Sequence, residues 1–267
     1  MKQKRIKATK AKKLSRSFAG DMVMVFFLTI FGLFTAIPII YTAISAFKPL
    51  NELFLYPPRF FVQNPTLDNF TSIVTLLSQI RVPFERYVFN SLFVTVVGTA
   101  VYIFIASMAA YPLAEHKFKG KAIFLNIVIL AMLFRPEVTA IAQYIIITKL
   151  GLLNTYLALL FPALATTMGV FLMRQFMTNF VPDQVIEAAK IDGAGEIYLF
   201  SRIVMPMVKP AWLTLMIFTF QSLWNTTGTQ FIYKEQMKML PIAMQQLTTG
   251  GIARAGTASA VALILLI

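Results

Sequence analysis

Long apolar runs constrain this chain more than any other feature. The first, Met22–Phe47, is 26 residues long and contains no charged side chain. As a helix it measures about 39 Å, enough to cross the ~30 Å hydrocarbon core of a bilayer with tilt. Later runs approach the same length, and only 13% of all residues are charged, against roughly 25% in a soluble domain. We therefore expect an all-α, polytopic membrane protein.

The composition excludes several kinds of chemistry. There is no cysteine, so disulfides, thiolate catalysis and Cys-ligated metals are excluded. His116 is the only histidine and cannot build a zinc site by itself. The sequence has no G-x-x-x-x-G-K-[ST] run to cradle a nucleotide phosphate. We expect no enzymatic activity, metal or cofactor in this chain, and any driving energy has to enter through another subunit.

The net charge of +13 is concentrated at the N-terminus. Eight of the 24 Lys and Arg residues precede the first apolar run: Lys2, Lys4, Arg5, Lys7, Lys10, Lys12, Lys13 and Arg16. Residues 1–21 therefore indicate a basic tail that stays in the cytoplasm, beside anionic lipid headgroups. No aromatic residue interleaves the basic run before Phe18, which argues against a nucleic-acid partner.

The remaining sequence divides into two further segments. Residues 22–88 form a first membrane span and an extracytoplasmic segment, in which Thr66 caps a short amphipathic helix lying on the outer membrane face. Residues 89–267 form a core with spans near 89–113, 122–147, 155–173 and 210–231. The third span is interrupted by Arg135-Pro136-Glu137. A last run starts near Thr257 and has 11 residues, about half a bilayer core, so we expect six spans with the sixth cut short.

A polar stretch at 182–206 lies between two apolar runs on the predicted cytoplasmic side. Pro182 suits a first helical turn, and Gly193 suits the left-handed residue that ends a helix. A second helix is predicted over Ala194–Val204, with Ile197, Phe200 and Val204 on one apolar face, stopping at Met205-Pro206. By periodicity alone the stretch could be a simple amphipathic loop on the headgroups.

The spacing of residues in this stretch resembles the EAA loop of ABC-importer permeases, EAA-x3-G-x9-I-x-L-P. The matching residues are Glu187, Ala188, Ala189, Gly193, Ile203 and Pro206, with Asp192 and Ala194 flanking the glycine. Met205 replaces the usual leucine, a swap that conserves volume. Asn90-Ser91 resembles the opening of the transporter core in this family. Leu150–Thr155, Lys209-Pro210 and Trp224-Asn225 are similar to its carbohydrate-uptake branch, specifically the second permease of maltose-type systems.

That resemblance implies a type I ABC importer permease fold in a bacterial inner membrane. It further implies a second permease, two cytoplasmic ATPase subunits that bind ATP and Mg, and an extracytoplasmic solute-binding protein that delivers a sugar. The EAA helix would dock in a groove of the ATPase, with Glu187 meeting a basic residue and Gly193 permitting the turn. ATP-driven closure of the ATPases would then rock the permeases between inward- and outward-facing states.

Two sets of residues are candidates for the solute pathway. Arg135 and Glu137 interrupt a span, where ionisable groups are costly; they either line a gate or neutralise each other beside a proline kink. Trp224 and Asn225, with Gln221 one turn earlier, suit sugar rings and hydroxyls, or else form an aromatic belt with a capping Asn.

Two alternative functions remain open at this point. The same machine could carry a polyamine, a phosphonate or glycerol phosphate. A stand-alone secondary transporter would need inverted repeats and coupling groups at mid-span, neither of which is clear in the sequence.

Overall fold

The computed structural model describes residues 18–78, 82–248 and 254–266, all of which are helical or in turns and loops. The basic residues of the tail and Gly250-Gly251 lie outside this description. The helices of the first part are α1 (Phe18–Ala46), α2 (Leu50–Leu53), α3 (Asp68–Ser78), α4 (Phe84–Glu115), α5 (Lys121–Met132), α6 (Pro136–Lys149) and α7 (Tyr156–Leu164). They continue with α8 (Met168–Phe180), α9 (Asp183–Ile191), α10 (Glu196–Tyr198), a π-helix (Leu199–Val204), α11 (Met205–Met207), α12 (Lys209–Trp224), α13 (Leu240–Thr248) and α14 (Ala255–Leu266).

Among the described residues, two long helices and three bent helix pairs are long and apolar enough to cross a membrane. Gly20–Ala46 and Phe84–Glu115 are each long and apolar enough to cross alone. Three pairs reach the same criterion together: α5 with α6, α7 with α8, and Glu196–Met207 with α12. Counting each pair as one span gives up to five by length and composition alone, although Glu196–Met207 belongs to the stretch predicted on the cytoplasmic side, and α14 adds a shorter apolar helix. The polytopic, all-α expectation is confirmed.

Residues 18–73 and 254–266 belong to one compact unit, in which α1 packs against α14. Asn69 ties its parts together, because its side-chain amide donates to the carbonyls of Ala46 and Lys48 at 2.9 and 2.8 Å. The Thr66 hydroxyl accepts the Asp68 N–H at 3.1 Å, but the cap position of α3 is Leu67, one residue later than predicted, because its carbonyl accepts the Phe70 and Thr71 N–H groups. The outward side of α1 is exposed along nearly its whole length.

The second unit, with described residues 74–78 and 82–248, is built around α4. This helix packs against α7, α8 and α12, and thirteen of its residues are buried. Gly98 allows the close approach, since a Cβ there would lie 2.7 Å from Leu223 and 2.9 Å from Leu160. At the start of α4, Asn90 donates to the carbonyls of Gln236 and Lys238 and accepts from Tyr156. The helix therefore fixes the loop that precedes α13.

Several boundaries differ from the sequence expectation. The break in the fourth span after Leu164 was not expected, and that span runs on to Phe180. The predicted fifth span reached residue 231, whereas α12 ends at Trp224, because Asn225 caps it and the chain then turns at Gly228, with φ +66°. The second helix of the 182–206 stretch starts at Glu196 and passes through Met205-Pro206 to Met207.

Candidate functional site

The turn between α9 and α10 is a Schellman motif centred on Gly193. The sequence predicted Pro182 in the first turn of a helix. In the structure Pro182 is the N-cap of α9, because its ψ of 137° is extended. At the other end Gly193 has φ +80°, its N–H bonds to the Lys190 carbonyl at 3.1 Å, and the Ala194 N–H bonds to the Ala189 carbonyl at 2.9 Å. A Cβ at Gly193 would meet nothing within 4 Å. The glycine is thus required by backbone conformation and not by crowding within this chain.

The residues of the EAA-like pattern divide between a surface and a core. Glu187, Ala188, Asp192, Gly193 and Pro206 are exposed. The other three, Ala189, Ala194 and Ile203, pack against a core cluster formed by α4, α8, the π-helix and α12. One set therefore anchors the helix pair to the bundle, and the other is accessible to a partner.

Two isoleucines flank the glycine turn on the accessible side. Ile191 is 86% exposed and Ile197 is 85% exposed, and Tyr198 lies beside them at 57%. The sequence predicted Ile197, Phe200 and Val204 on one apolar face, but Val204 is fully buried whereas Ile197 is exposed, so these two residues do not share a face. We call Glu187, Ile191, Asp192 and Ile197 the coupling surface. It combines apolar side chains with two carboxylates.

A π-helical turn explains the error at Ile197. Leu199 and Val204, five residues apart, are both fully buried. In an α-helix such a pair would lie about 140° apart, whereas the wider π turn brings both onto one face. The predicted face of Ile197, Phe200 and Val204 assumed an α-helical period throughout, and the π turn moves Val204 away from Ile197.

Glu196 connects the helix pair to the end of α4. Its carboxylate accepts a hydrogen bond from the Tyr111 hydroxyl at 2.8 Å and lies 3.3 Å from the Lys190 ammonium and 3.5 Å from the His116 ring. The Tyr111 hydrogen bond, followed by Lys190, lowers the pKa of Glu196 below its ordinary value. Sequence reasoning did not single out Glu196, because its partners Tyr111 and His116 lie 85 and 80 residues away along the chain.

A cavity of about 780 Å³ lies where the break between α5 and α6 and the break between α7 and α8 meet the end of α12. Ten of its 21 lining residues carry a hydroxyl or an amide, and none carries a charge. The threonines are Thr139, Thr166, Thr167, Thr226, Thr227 and Thr229. Irregular backbone at membrane depth is tolerated where it lines such a cavity. The arrangement can accommodate a polar, uncharged solute.

Tyr102 of α4 supports the break between α7 and α8. Its side chain is buried, its hydroxyl donates to the Thr166 carbonyl at 3.0 Å, and the same oxygen accepts the Gly169 N–H at 2.8 Å. Both backbone groups are released by the break. Tyr102 thereby satisfies a donor and an acceptor that would otherwise be costly in an apolar bundle.

Among the predicted pathway residues, Asn225 lines this cavity. The Asn225 side-chain amide donates to the backbone carbonyl of Gln221 at 2.8 Å. Trp224 stacks on Phe220, with 6.0 Å between the ring centroids. Arg135 and Glu137 form an ion pair at 3.6 Å, with both side chains exposed and neither in the cavity lining. Of the two alternatives offered by the sequence, a gate lining and mutual neutralisation, the structure shows Arg135 and Glu137 paired with each other. Within the described residues, no group of three or more Asp, Glu or His could hold a metal ion.

Comparisons with known proteins agree with this architecture. Residues 102–267 match the family described as binding-protein-dependent transport system inner membrane component. Protein LplC of Bacillus subtilis is 33% identical over 84% of this chain and 73% of its own length. The polygalacturonan/rhamnogalacturonan transport system permease protein YtcP of the same species is 30% identical, over 83% and 75%. A solved bacterial ABC transporter involved in the import of the acidic polysaccharide alginate superimposes with a TM-score of 0.76, at 20% identity and 94% coverage of both chains.

Proposed function

The chain belongs to the family of binding-protein-dependent transport system inner membrane components, and we propose that it forms one half of a carbohydrate path driven by a separate ATPase. Members of this family are permeases rather than enzymes, and they are multi-pass proteins of the bacterial inner membrane that work with other transporter subunits. The resemblance found in the sequence is therefore confirmed, and a stand-alone secondary transporter is set aside.

The coupling surface carries the proposal for energy transfer. It is exposed, it mixes carboxylates with isoleucines, and it is held by a structured turn whose other residues enter the core. A rigid helix pair can transmit a displacement that a flexible loop would absorb. We assign Glu187 and Asp192 to contacts with a basic groove of the ATPase, and Ile191 and Ile197 to apolar contacts around them.

The proposed assembly has this chain, a second permease, two cytoplasmic ATPases holding ATP and Mg, and an extracytoplasmic binding protein. The N-terminal tail and the coupling surface lie on the cytoplasmic side in this arrangement. This orientation is supported by the positive charge of residues 1–17, in which eight basic residues precede the first span.

A carbohydrate is the proposed cargo. Relatives in this family are named for polygalacturonan/rhamnogalacturonan and for arabinooligosaccharides, the latter a Halalkalibacterium halodurans protein 27% identical over 79% of this chain and 76% of its own length. The cavity, rich in hydroxyl and amide groups, suits a sugar. Uptake of labelled oligosaccharides, a polyamine and glycerol phosphate by cells with and without this chain tests the choice. Loss of uptake confined to the polyamine or glycerol phosphate would refute a sugar cargo.

Coupling is tested by Glu187→Ala and Gly193→Asp in the intact transporter. We expect both to abolish ATP-dependent uptake while the permease remains in the membrane. Gly195→Asp is the matched control, because Gly195 is exposed, has an extended N-cap conformation and also has open space where a Cβ would lie. Normal uptake and ATPase recovery in both coupling variants would refute this site.

A further inference from the structure

We propose that the cavity at the helix breaks is a binding site for uncharged, hydroxyl-rich solutes and that it discriminates against saccharides bearing carboxylates. This inference rests on the proposed sugar-permease function and adds to it a location and a charge class. Three independent features of the cavity support it.

The first feature is the direction of hydrogen bonding. The Thr166 hydroxyl donates to the Ala163 carbonyl at 3.0 Å, and the Thr226 hydroxyl donates to the Ser222 carbonyl at 2.9 Å. Asn225 similarly directs its amide nitrogen to the Gln221 carbonyl at 2.8 Å. The hydroxyl protons of both threonines are thereby in use, so these two side chains have only oxygen lone pairs left to offer, while Asn225 offers its side-chain oxygen and keeps one N–H. A sugar hydroxyl can donate to them, whereas a carboxylate only accepts.

The second feature is the convergence of helix C-termini. The helices α5, α7 and α12 end at the cavity, as shown by the lining residues Met132, Ala163 and Ser222. Each C-terminus carries a partial negative charge of roughly half an electron. Of the helices that begin there, α8 contributes Thr167 and Met168 at its start and α6 reaches the cavity with Thr139 in its first turn. Three helix C-termini, which are partially negative, thus face two helix N-termini, which are partially positive, and the net effect disfavours binding of an anion.

The third feature is the position of charged side chains. The cavity lining contains none, and Arg135, next to the lining residue Phe134, is paired with Glu137. No Lys or Arg among the lining residues can therefore compensate for desolvation of a carboxylate. An acidic saccharide held against this lining would find no cation among the lining residues and would have to draw on one from elsewhere.

The binding test uses the intact transporter in lipid nanodiscs and galactotriose with a photoreactive diazirine at its reducing end. Peptide mapping after illumination should find label within 163–168 and 222–231 of this chain. Unlabelled galactotriose should compete, and trigalacturonate, which differs by carboxylates at C6, should need about tenfold or more higher concentration. Equal competition by trigalacturonate would overturn the charge class, and label that avoids both segments would overturn the site.

A charge-introducing variant tests the same reasoning in transport. Gln143 lines the cavity beside Thr139, with 3.4 Å between its amide nitrogen and the threonine hydroxyl. Gln143→Lys should raise the ratio of trigalacturonate to galactotriose binding about tenfold, since an ammonium donates a charge-assisted hydrogen bond to a carboxylate. Gln143→Met keeps the length without the charge and should leave that ratio unchanged. An unchanged ratio in the Lys variant would contradict the proposal.

Failure of this inference is distinguishable from failure of the proposed function. A transporter that imports neutral oligosaccharides but shows no label in the cavity refutes the site alone. A transporter that imports no saccharide, whatever the labelling, refutes the function on which the site rests.

Discussion

Replacing Tyr102 by phenylalanine is expected to destabilise the break between α7 and α8. The substitution removes only the hydroxyl, which is buried and joins the Thr166 carbonyl at 3.0 Å to the Gly169 N–H at 2.8 Å. Each backbone group left without its partner costs about 1–3 kcal/mol. Loss of the hydrogen bond to the Gly169 N–H alone should therefore raise the equilibrium constant for local opening at Gly169 by roughly 5- to 150-fold.

Hydrogen–deuterium exchange of the transporter in nanodiscs measures this effect directly. The Gly169 amide should exchange faster by that factor in Tyr102→Phe, and the cavity should lose affinity for galactotriose. Tyr56→Phe is the control, because the Tyr56 side chain is 94% exposed. If Gly169 exchange is unchanged in Tyr102→Phe, the break is supported by other contacts and the reasoning is refuted.

Three further predictions follow from single residues. Gly193→Ala should cost about 1–2 kcal/mol, because its φ of +80° is left-handed, whereas Gly195→Ala at φ −75° should cost far less; thermal unfolding compares them, and equal losses would refute the conformational argument. Asn90→Asp keeps the shape but removes the two donated hydrogen bonds to Gln236 and Lys238, so exchange in that loop should rise several-fold; unchanged protection would contradict this. Because the pKa of Glu196 is lowered in the folded state, the stability contributed by its ionised carboxylate is fully present above the ordinary glutamate pKa of ~4.3 and is lost as pH falls through the folded value. Hydrogen exchange in α9 should therefore become faster on acidification, and Glu196→Gln should remove that pH dependence.

The sequence predicts the spans and the glycine turn because both depend on local chemistry. A 26-residue apolar run and a glycine at a helix end each have few alternative structures. The Arg135-Pro136-Glu137 interruption was predictable for the same reason, since a proline lacks the N–H that a continuous helix needs.

Features that depend on distant contacts could not be predicted in this way. The π turn at 199–204 has no local signal, and it separates Ile197 from the buried Val204, with which the sequence predicted a common face. The break after Leu164 depends on Tyr102, which is 64 residues away from the carbonyl that it satisfies. The cavity likewise joins residues from α5 to the loop after α12, so that of the predicted pathway residues Asn225 reaches it and Trp224 does not.

Site-directed cross-linking at the coupling surface tests the central claim most directly. The chain contains no cysteine, so a single introduced thiol is its only one. Ile191→Cys, at a site 86% exposed, should cross-link to the ATPase subunit through a short thiol–amine reagent. Leu150→Cys, in the exposed turn after α6, should not. A cross-link at Ile191 that depends on assembly with the ATPase supports the account, and no cross-link there, or equal cross-linking at Leu150, would contradict it.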